Sequence, residues 1–383
     1  MKRVFLIAGE ASGDRLGAAL MAGLKSLGPV EFSGVGGPLM QAEGMESLFP
    51  MDELSVMGLA EILPKYPALR RRMIQTADAV LAEKPDVLIT IDSPDFCLRV
   101  AKRVKASSDI RTVHYVAPTV WAWRAGRAAK MARHIDQVLA LFPFEPPYMQ
   151  AAGMECDFVG HPVVAEPQVG AGEIADFRAK YGLGDAPLLL VLPGSRRGEV
   201  ARLTPVFGEV LAQIAAKRPD LRMVLPTTAN VTGLVQELCA DWSVKPLILD
   251  PRDMNSAVYL SEKRSAFAAS DAALAASGTV SLELAAARTP MVIAYDMSWL
   301  SRQIIGRMLL TDTVTLVSLV SQTRVIPEFI GDNCRADLIA PAVLGVLDNP
   351  AVQLDAMDLT MRQLGQGSEP PGLRAARAVM DRI

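Results

Sequence analysis

Short apolar runs alternate along this chain with longer stretches of helical periodicity, the pattern left by parallel βαβ units. In the first half, the runs at 4–8, 86–91, 112–116, 137–141 and 157–159 predict strands. Helical spacing at 17–27 and 69–83 fills two of the intervals. After Gly160-His161-Pro162 both periodicities fade, and 165–170 reads as a linker. The alternation then restarts, predicting strands at 188–192, 222–225, 247–249, 272–274 and 291–295. The last stretch, 351–383, has no strand pattern and predicts one or two helices. The expected architecture is α/β. Two Rossmann-like lobes with parallel sheets, 1–165 and 166–350, precede a helical segment 351–383 that is expected to pack back on the first lobe.

Composition narrows the function classes. Half of the 383 residues are apolar, enough for sizeable cores, and the net charge of −3 argues against a nucleic-acid binder. Cys97, Cys156, Cys239 and Cys334 are far apart and form no C-x-x-C, so neither a disulfide framework nor a zinc site is indicated. The apolar start ends at Gly9-Glu10, shorter than the ~7–15 residues of a secretory core, and reads better as a buried first strand. No apolar run approaches the ~20 residues of a spanning helix.

Ligands of open parallel sheets gather beyond the carboxyl ends of the strands. The unusual residues of this chain stand there. Gly9-Glu10-Ala11-Ser12-Gly13-Asp14 follows the first strand, and its small residues open a helix whose first N–H groups can face an anion or a hydroxyl. A plain turn with Ser12 or Asp14 as helix cap explains it equally well. Asp92-Ser93-Pro94-Asp95 brings two carboxylates to a strand mouth, as general-base chemistry requires. Trp121, Trp123 and Arg124 share one loop, where aromatics suit sugar faces and arginine suits phosphate; the competing reading is a loop folded on its own aromatic core.

In the second half, Gly194-Ser195-Arg196 and Ser277-Gly278-Thr279 each follow a strand, and Glu283 lies one helical turn past Thr279. Together they suggest a nucleotide-diphosphate site: N–H groups and hydroxyls for phosphate, arginine for the leaving charge, a carboxylate for ribose. No D-x-D occurs, and His114, His134 and His161 are dispersed, so no metal and no other cofactor is expected.

These blocks resemble the lipid-A-disaccharide synthase family. The matching text lies at 8–14, 34–46, 56–63, 84–96, 114–124, 141–145, 159–162, 192–200 and 270–283, in family order across most of the chain. The resemblance implies a GT-B fold with the two sheets facing a central cleft. It also implies an inverting, metal-independent transfer from UDP-2,3-diacylglucosamine to the 6-hydroxyl of 2,3-diacylglucosamine 1-phosphate (lipid X). By position, Asp95 matches the family's favoured base, Asp86 a second important aspartate, Arg196 the arginine near the donor diphosphate and Glu283 the nucleotide-side carboxylate. Asp92 stays a second candidate for the base. Asp86, ahead of its strand, reads as a supporting residue. One departure is Leu316-Val317-Ser318, where the family usually ends in asparagine.

Acylated substrates imply a peripheral protein at the cytosolic face of the inner membrane, in contact with anionic lipid. Residues 56–63 with Lys65 and Arg70-Arg71-Arg72 form one candidate attachment surface. Trp299-Leu300, Ile304-Ile305 and Met308-Leu309-Leu310, with Arg302 and Arg307, form another. A homo-oligomer is left open. The alternatives are another GT-B enzyme of UDP-N-acetylglucosamine metabolism and a non-catalytic nucleotide-sugar binding protein.

Overall fold

The structure, a computed structural model, describes residues 1–54, 59–123, 126–297 and 311–383, with no side chains described for 59–65. The chain forms two compact units: one of residues 1–165 and 364–383, the other of 166–363.

The first unit is built on a parallel sheet ordered β3-β2-β1-β4-β5-β6-β7. Its strands are β1 (Lys2–Ala8), β2 (Val30–Val35), β3 (Glu46–Ser47), β4 (Val87–Ile91), β5 (Arg111–Tyr115), β6 (Gln137–Ala140) and β7 (Glu155–Phe158). Helices on both faces make the central strands continuous apolar runs. Phe5, Leu6 and Ile7 are fully buried, each stabilising the fold by roughly 1.5–3 kcal/mol relative to exposure. β2 and β3 were absent from the sequence expectation. β2 is half-buried and carries Glu31 and Ser33, and β3 is a two-residue edge, so neither shows an unbroken apolar run.

The second unit repeats the plan in the order β10-β9-β8-β11-β12-β13. Its strands are β8 (Leu188–Leu192), β9 (Arg222–Pro226), β10 (Leu247–Leu249), β11 (Ala272–Ala275), β12 (Met291–Tyr295) and β13 (Glu328–Ile330). β13, a three-residue strand at the sheet edge, is the strand missed in this half.

The C-terminal segment divides differently from the expectation. Helix Ala351–Gln363 stays with the second unit rather than returning. Buried Gln353 accepts from Met291 N at 2.8 Å and donates to Met291 O at 3.0 Å, satisfying both backbone groups at the start of β12. Only the part from 364 onward joins the first unit. There Gln137 donates to Ala378 O at 2.9 Å, Arg374 to Phe158 O at 2.9 Å and Arg382 to Asp157 at 2.8 Å.

Candidate active site

Both sheets reverse direction of winding beside their first strand, between β1 and β4 and between β8 and β11. Such a switch point leaves a crevice past the strand ends, because flanking loops depart to opposite faces. Ala8 pairs with Ile91 and Leu192 with Ala275, so the residues that follow emerge side by side.

In the first unit these are Gly9-Glu10 and Asp92-Ser93. A Cβ on Gly9 would stand 2.6 Å from Ser93 Oγ, so only glycine lets the two loops lie this close. Asp92 and Ser93 both have left-handed backbones (φ 50° and 42°), and Val116 beyond β5 has φ 87°. For β-branched valine that conformation is strained, and strained residues concentrate at functional sites. Asp92 N donates to Tyr115 O at 3.0 Å and Val116 N to Leu139 O at 3.0 Å, lacing three strand ends together.

Asp95 is exposed in the first turn of helix Pro94–Lys105, and no described residue hydrogen-bonds its carboxylate. It is available to a substrate hydroxyl. Glu10 is half-buried and Ser12 exposed, at a helix start that no side chain caps. Beneath the crevice, His114 Nδ1 and Thr90 Oγ1 share a hydrogen bond of 2.8 Å, and burial pushes the imidazole down to about 4, keeping it neutral.

Three expectations for this unit are corrected. Asp14 is not presented to a ligand: it is 3% exposed, and its oxygens accept from Gly37 N (2.9 Å), Met40 N (3.0 Å) and Leu39 N (3.0 Å). It caps helix Pro38–Ala42, not its own. Gly13 is buried against Ala8 and Ile91, a helix-to-strand packing position. Trp121 is 8% exposed, edge-on to Phe144 and Phe142, with its indole donating to Glu145 at 3.2 Å; the aromatic-core reading holds for it. Trp123 is half-buried and donates to Thr119 Oγ1 at 3.0 Å. Arg124 lies outside the described residues. Asp86 precedes β4 at the opposite end of the sheet, where it accepts from Arg3 N at 2.7 Å, a supporting position.

In the second unit, Gly194 turns the chain after β8 with φ +114°, and a Cβ there would meet Glu199 at 2.8 Å. Ser195 is exposed, and its carbonyl accepts from Asn230 at 3.0 Å. Arg196, at the start of helix Arg197–Lys217, is 69% exposed and pairs with Glu199 at 3.1 Å. An exposed pair of this kind contributes about 0–1 kcal/mol, so the guanidinium can turn to a phosphate at little cost. Across the switch point, Ser277 Oγ donates to Val314 O at 3.2 Å, and space beyond Gly278 is open. Thr279 opens helix Val280–Ala286, on which Glu283 receives Lys263 Nζ at 2.5 Å. That ion pair borders a cavity of about 190 Å³ lined also by Phe267, Ile174 and Arg288.

Sequence reasoning missed Asn230, which braces the Ser195 turn, and Glu328. Glu328 accepts from Val314 N at 3.0 Å, Thr315 N at 3.2 Å and Thr313 Oγ1, and so holds the loop that receives Ser277. Nothing local marks either one, because each acts through a loop distant in sequence. Ser318, at the family's asparagine position, is 0% exposed, with its hydroxyl unpartnered among the described residues.

Two parallel-sheet Rossmann-like units define the class: an α/β protein with the GT-B fold. Solved structures agree on the fold. A UDP-GlcNAc 2-epimerase from Neisseria meningitidis bound to UDP-GlcNAc superposes with TM-score 0.64 at 11% identity, covering 99% of this chain and 98% of that one. A glycosyltransferase from Rickettsia africae gives TM-score 0.62 at 13% identity, covering 100% of this chain and 99% of that one. The family model described as lipid-A-disaccharide synthetase matches residues 4–371. Curated relatives named lipid-A-disaccharide synthase include one from Ruegeria pomeroyi, 62% identical over 100% of this chain and 96% of its own length. Another, from Rhodospirillum centenum, is 48% identical over 99% of this chain and 94% of its own. The chain belongs to the lipid-A-disaccharide synthase family and is a glycosyltransferase.

Proposed function

We propose that the chain joins the two acylated sugars in a single inverting displacement that uses no metal. The donor is UDP-2,3-diacylglucosamine and the acceptor is lipid X. Asp95 takes the proton of the acceptor 6-hydroxyl as that oxygen attacks the donor anomeric carbon, from the face opposite UDP. The bond to the diphosphate breaks, and its electron pair leaves on the phosphate oxygen. Arg196, Ser277 and Thr279 stabilise that charge, Gly194 and Ser195 shape the turn around it, and Glu283 takes the ribose hydroxyls. Asp92, on the turn three residues before Asp95, is the second candidate for the base. Glu10, Ser12 and Trp123, with Arg124, form the acceptor side.

What supports this reading is that Asp92 and Asp95 follow β4, and Arg196 and Ser277 follow β8 and β11, each pair beside the switch point of its own sheet. UDP release measured with and without lipid X tests it. Release that depends on the acceptor supports a transferase; release without it, or none, removes the reading. In the same assay Arg196→Ala is expected to lower kcat/KM by about 10²–10³-fold, the scale of losing one charge-stabilising donor, with the melting temperature unchanged. A wild-type kcat/KM in that variant would take Arg196 out of the site.

For localisation we infer peripheral attachment to anionic lipid at the cytosolic face of the inner membrane. No described helix is long and apolar enough to cross a membrane. Of the first candidate surface, 56–58 lie outside the described residues, as do the side chains of 59–63 and Lys65. The second, 299–310, lies wholly outside them. Arg70 and Arg71 are exposed, whereas Arg72 grips Glu53 through two bonds of 2.7 and 2.6 Å and covers Phe49 at 4.5 Å. Arg72 is thus committed to the fold, and Arg70 and Arg71 supply the surface charge. Binding to anionic vesicles should fall as salt rises and weaken further in Arg70→Glu/Arg71→Glu. Binding indifferent to both would reject this surface.

A further inference from the structure

Glu145 ends the loop that leaves β6, and its side chain is buried to 2% exposure. Its Oε2 accepts from Leu141 N at 3.1 Å and Phe142 N at 3.0 Å, while Oε1 accepts from the Trp121 indole at 3.2 Å. The Trp121 ring stands edge-on to Phe144, centroids 5.1 Å apart, and Phe144 stacks on Phe142 at 5.4 Å. One indole–carboxylate bond and three rings therefore fasten the loop after β5 to the loop after β6. At its other end the β5 loop begins at the strained Val116, next to Tyr115, whose carbonyl holds Asp92. The 117–123 loop thus spans from the turn carrying Asp92 and Asp95 to Glu145.

We propose that the ionised Glu145 carboxylate is a positioning residue of the transferase: by holding the Trp121 indole it sets the 117–123 loop, and Trp123 with it, for the acceptor. This rests on the reading that places the acceptor beside Asp95. Three N–H donors converge on the carboxylate, and each needs an acceptor lone pair. A proton added to Glu145 settles on Oε1, which faces one donor, rather than Oε2, which faces two. The bond to Trp121 is then the one weakened, since a hydroxyl oxygen accepts less strongly than a carboxylate oxygen, and the loop's tie loosens while its backbone turn survives.

Burial pushes the Glu145 carboxyl up to about 7, against the opposing pull of its hydrogen bonds. Two titratable groups against this cluster, Cys156 and His161, do not change charge near neutrality. Cys156 on β7 is pushed up to about 12, by burial first and then by Glu145 and Asp157. His161, whose ring lies 5.5 Å from Phe142, is pushed down to about 4 by burial. Stability and turnover consequently move in opposite directions. A carboxyl raised in the folded state stabilises the fold below its unfolded value of 4.5, and that contribution is lost as pH rises through about 7. The positioning bond strengthens over the same rise.

The test follows tryptophan emission and turnover from about pH 6 to about 8 in wild type, Glu145→Gln and Trp121→Phe, the last of which keeps a ring in the cluster. In wild type, kcat should rise about five- to tenfold over that range, with a midpoint near 7 and the donor KM constant, and emission should titrate in parallel. Both variants should sit at the low level with flat profiles and no emission change, and Glu145→Gln should melt no lower than wild type at the alkaline end. A Trp121→Phe enzyme with wild-type turnover and pH profile, or wild-type emission that does not titrate, overturns the proposal. Wild-type protein with no acceptor-dependent UDP release at any pH overturns the transferase reading instead, and this role with it.

Discussion

Asp95→Asn is expected to lower kcat by about 10²–10⁴-fold, the range that a positioned general base supplies. The donor KM should stay near wild type, because the amide keeps the shape of the carboxylate and loses only its capacity to take the acceptor proton. Stability should not change: the side chain is exposed, and no described residue hydrogen-bonds it, so the fold does not draw on it. Steady-state UDP release, run beside a melting curve, checks both parts. Turnover within a few-fold of wild type would pass the role to Asp92. That carboxylate sits on the left-handed turn one residue before the helix N-cap, Ser93. Asp92→Asn is the matched control.

Asp14→Ala should have the largest effect on stability. Three backbone N–H groups, of Gly37 and of Leu39 and Met40 in the helix that follows, end on this carboxylate inside the first unit, two of them wholly buried. Each buried donor left without a partner costs about 1–3 kcal/mol, and water entering the vacated space recovers part of that. A loss of about 3–5 kcal/mol follows, a large share of a typical domain's margin. Thermal unfolding of the first unit should move down accordingly. Asp14→Asn, which keeps one acceptor oxygen, should fall between the two. A variant with wild-type melting and a raised KM for lipid X would restore Asp14 to the acceptor site.

The central strands were legible because burial on both faces writes them as unbroken apolar runs. β8, β10 and β12 begin and end where the pattern placed them. The edge strands were not legible. β2, β3 and β13 each have a face or an end open to water, so their residues are mixed, and only pairing with a neighbour makes them strands. The same contrast runs through the site. Small and charged residues crowded after a strand marked Gly9, Asp92, Arg196 and Ser277 as candidates, since short chemical motifs are local. Trp121 was ambiguous for the opposite reason: its partner Glu145 comes from the next strand, and nothing at 117–123 tells a sugar platform from a ring sealed in a core.

Read alone, the chain determined its periodicity, hence the α/β class with two repeating halves, and it determined the strand-end motifs, hence the family. Those features depend on neighbours within one element or one turn. Tertiary structure decided which polar groups remain free for chemistry. Asp14 and Asp95 are both acidic residues just past a strand, yet one is consumed by three distant amides and the other is left open. Tertiary structure also decided that the chain returns to its first unit at 364, because Gln353 fits the start of β12. A hydrogen bond is settled by where its partner lies in space, and the order of residues does not carry that distance.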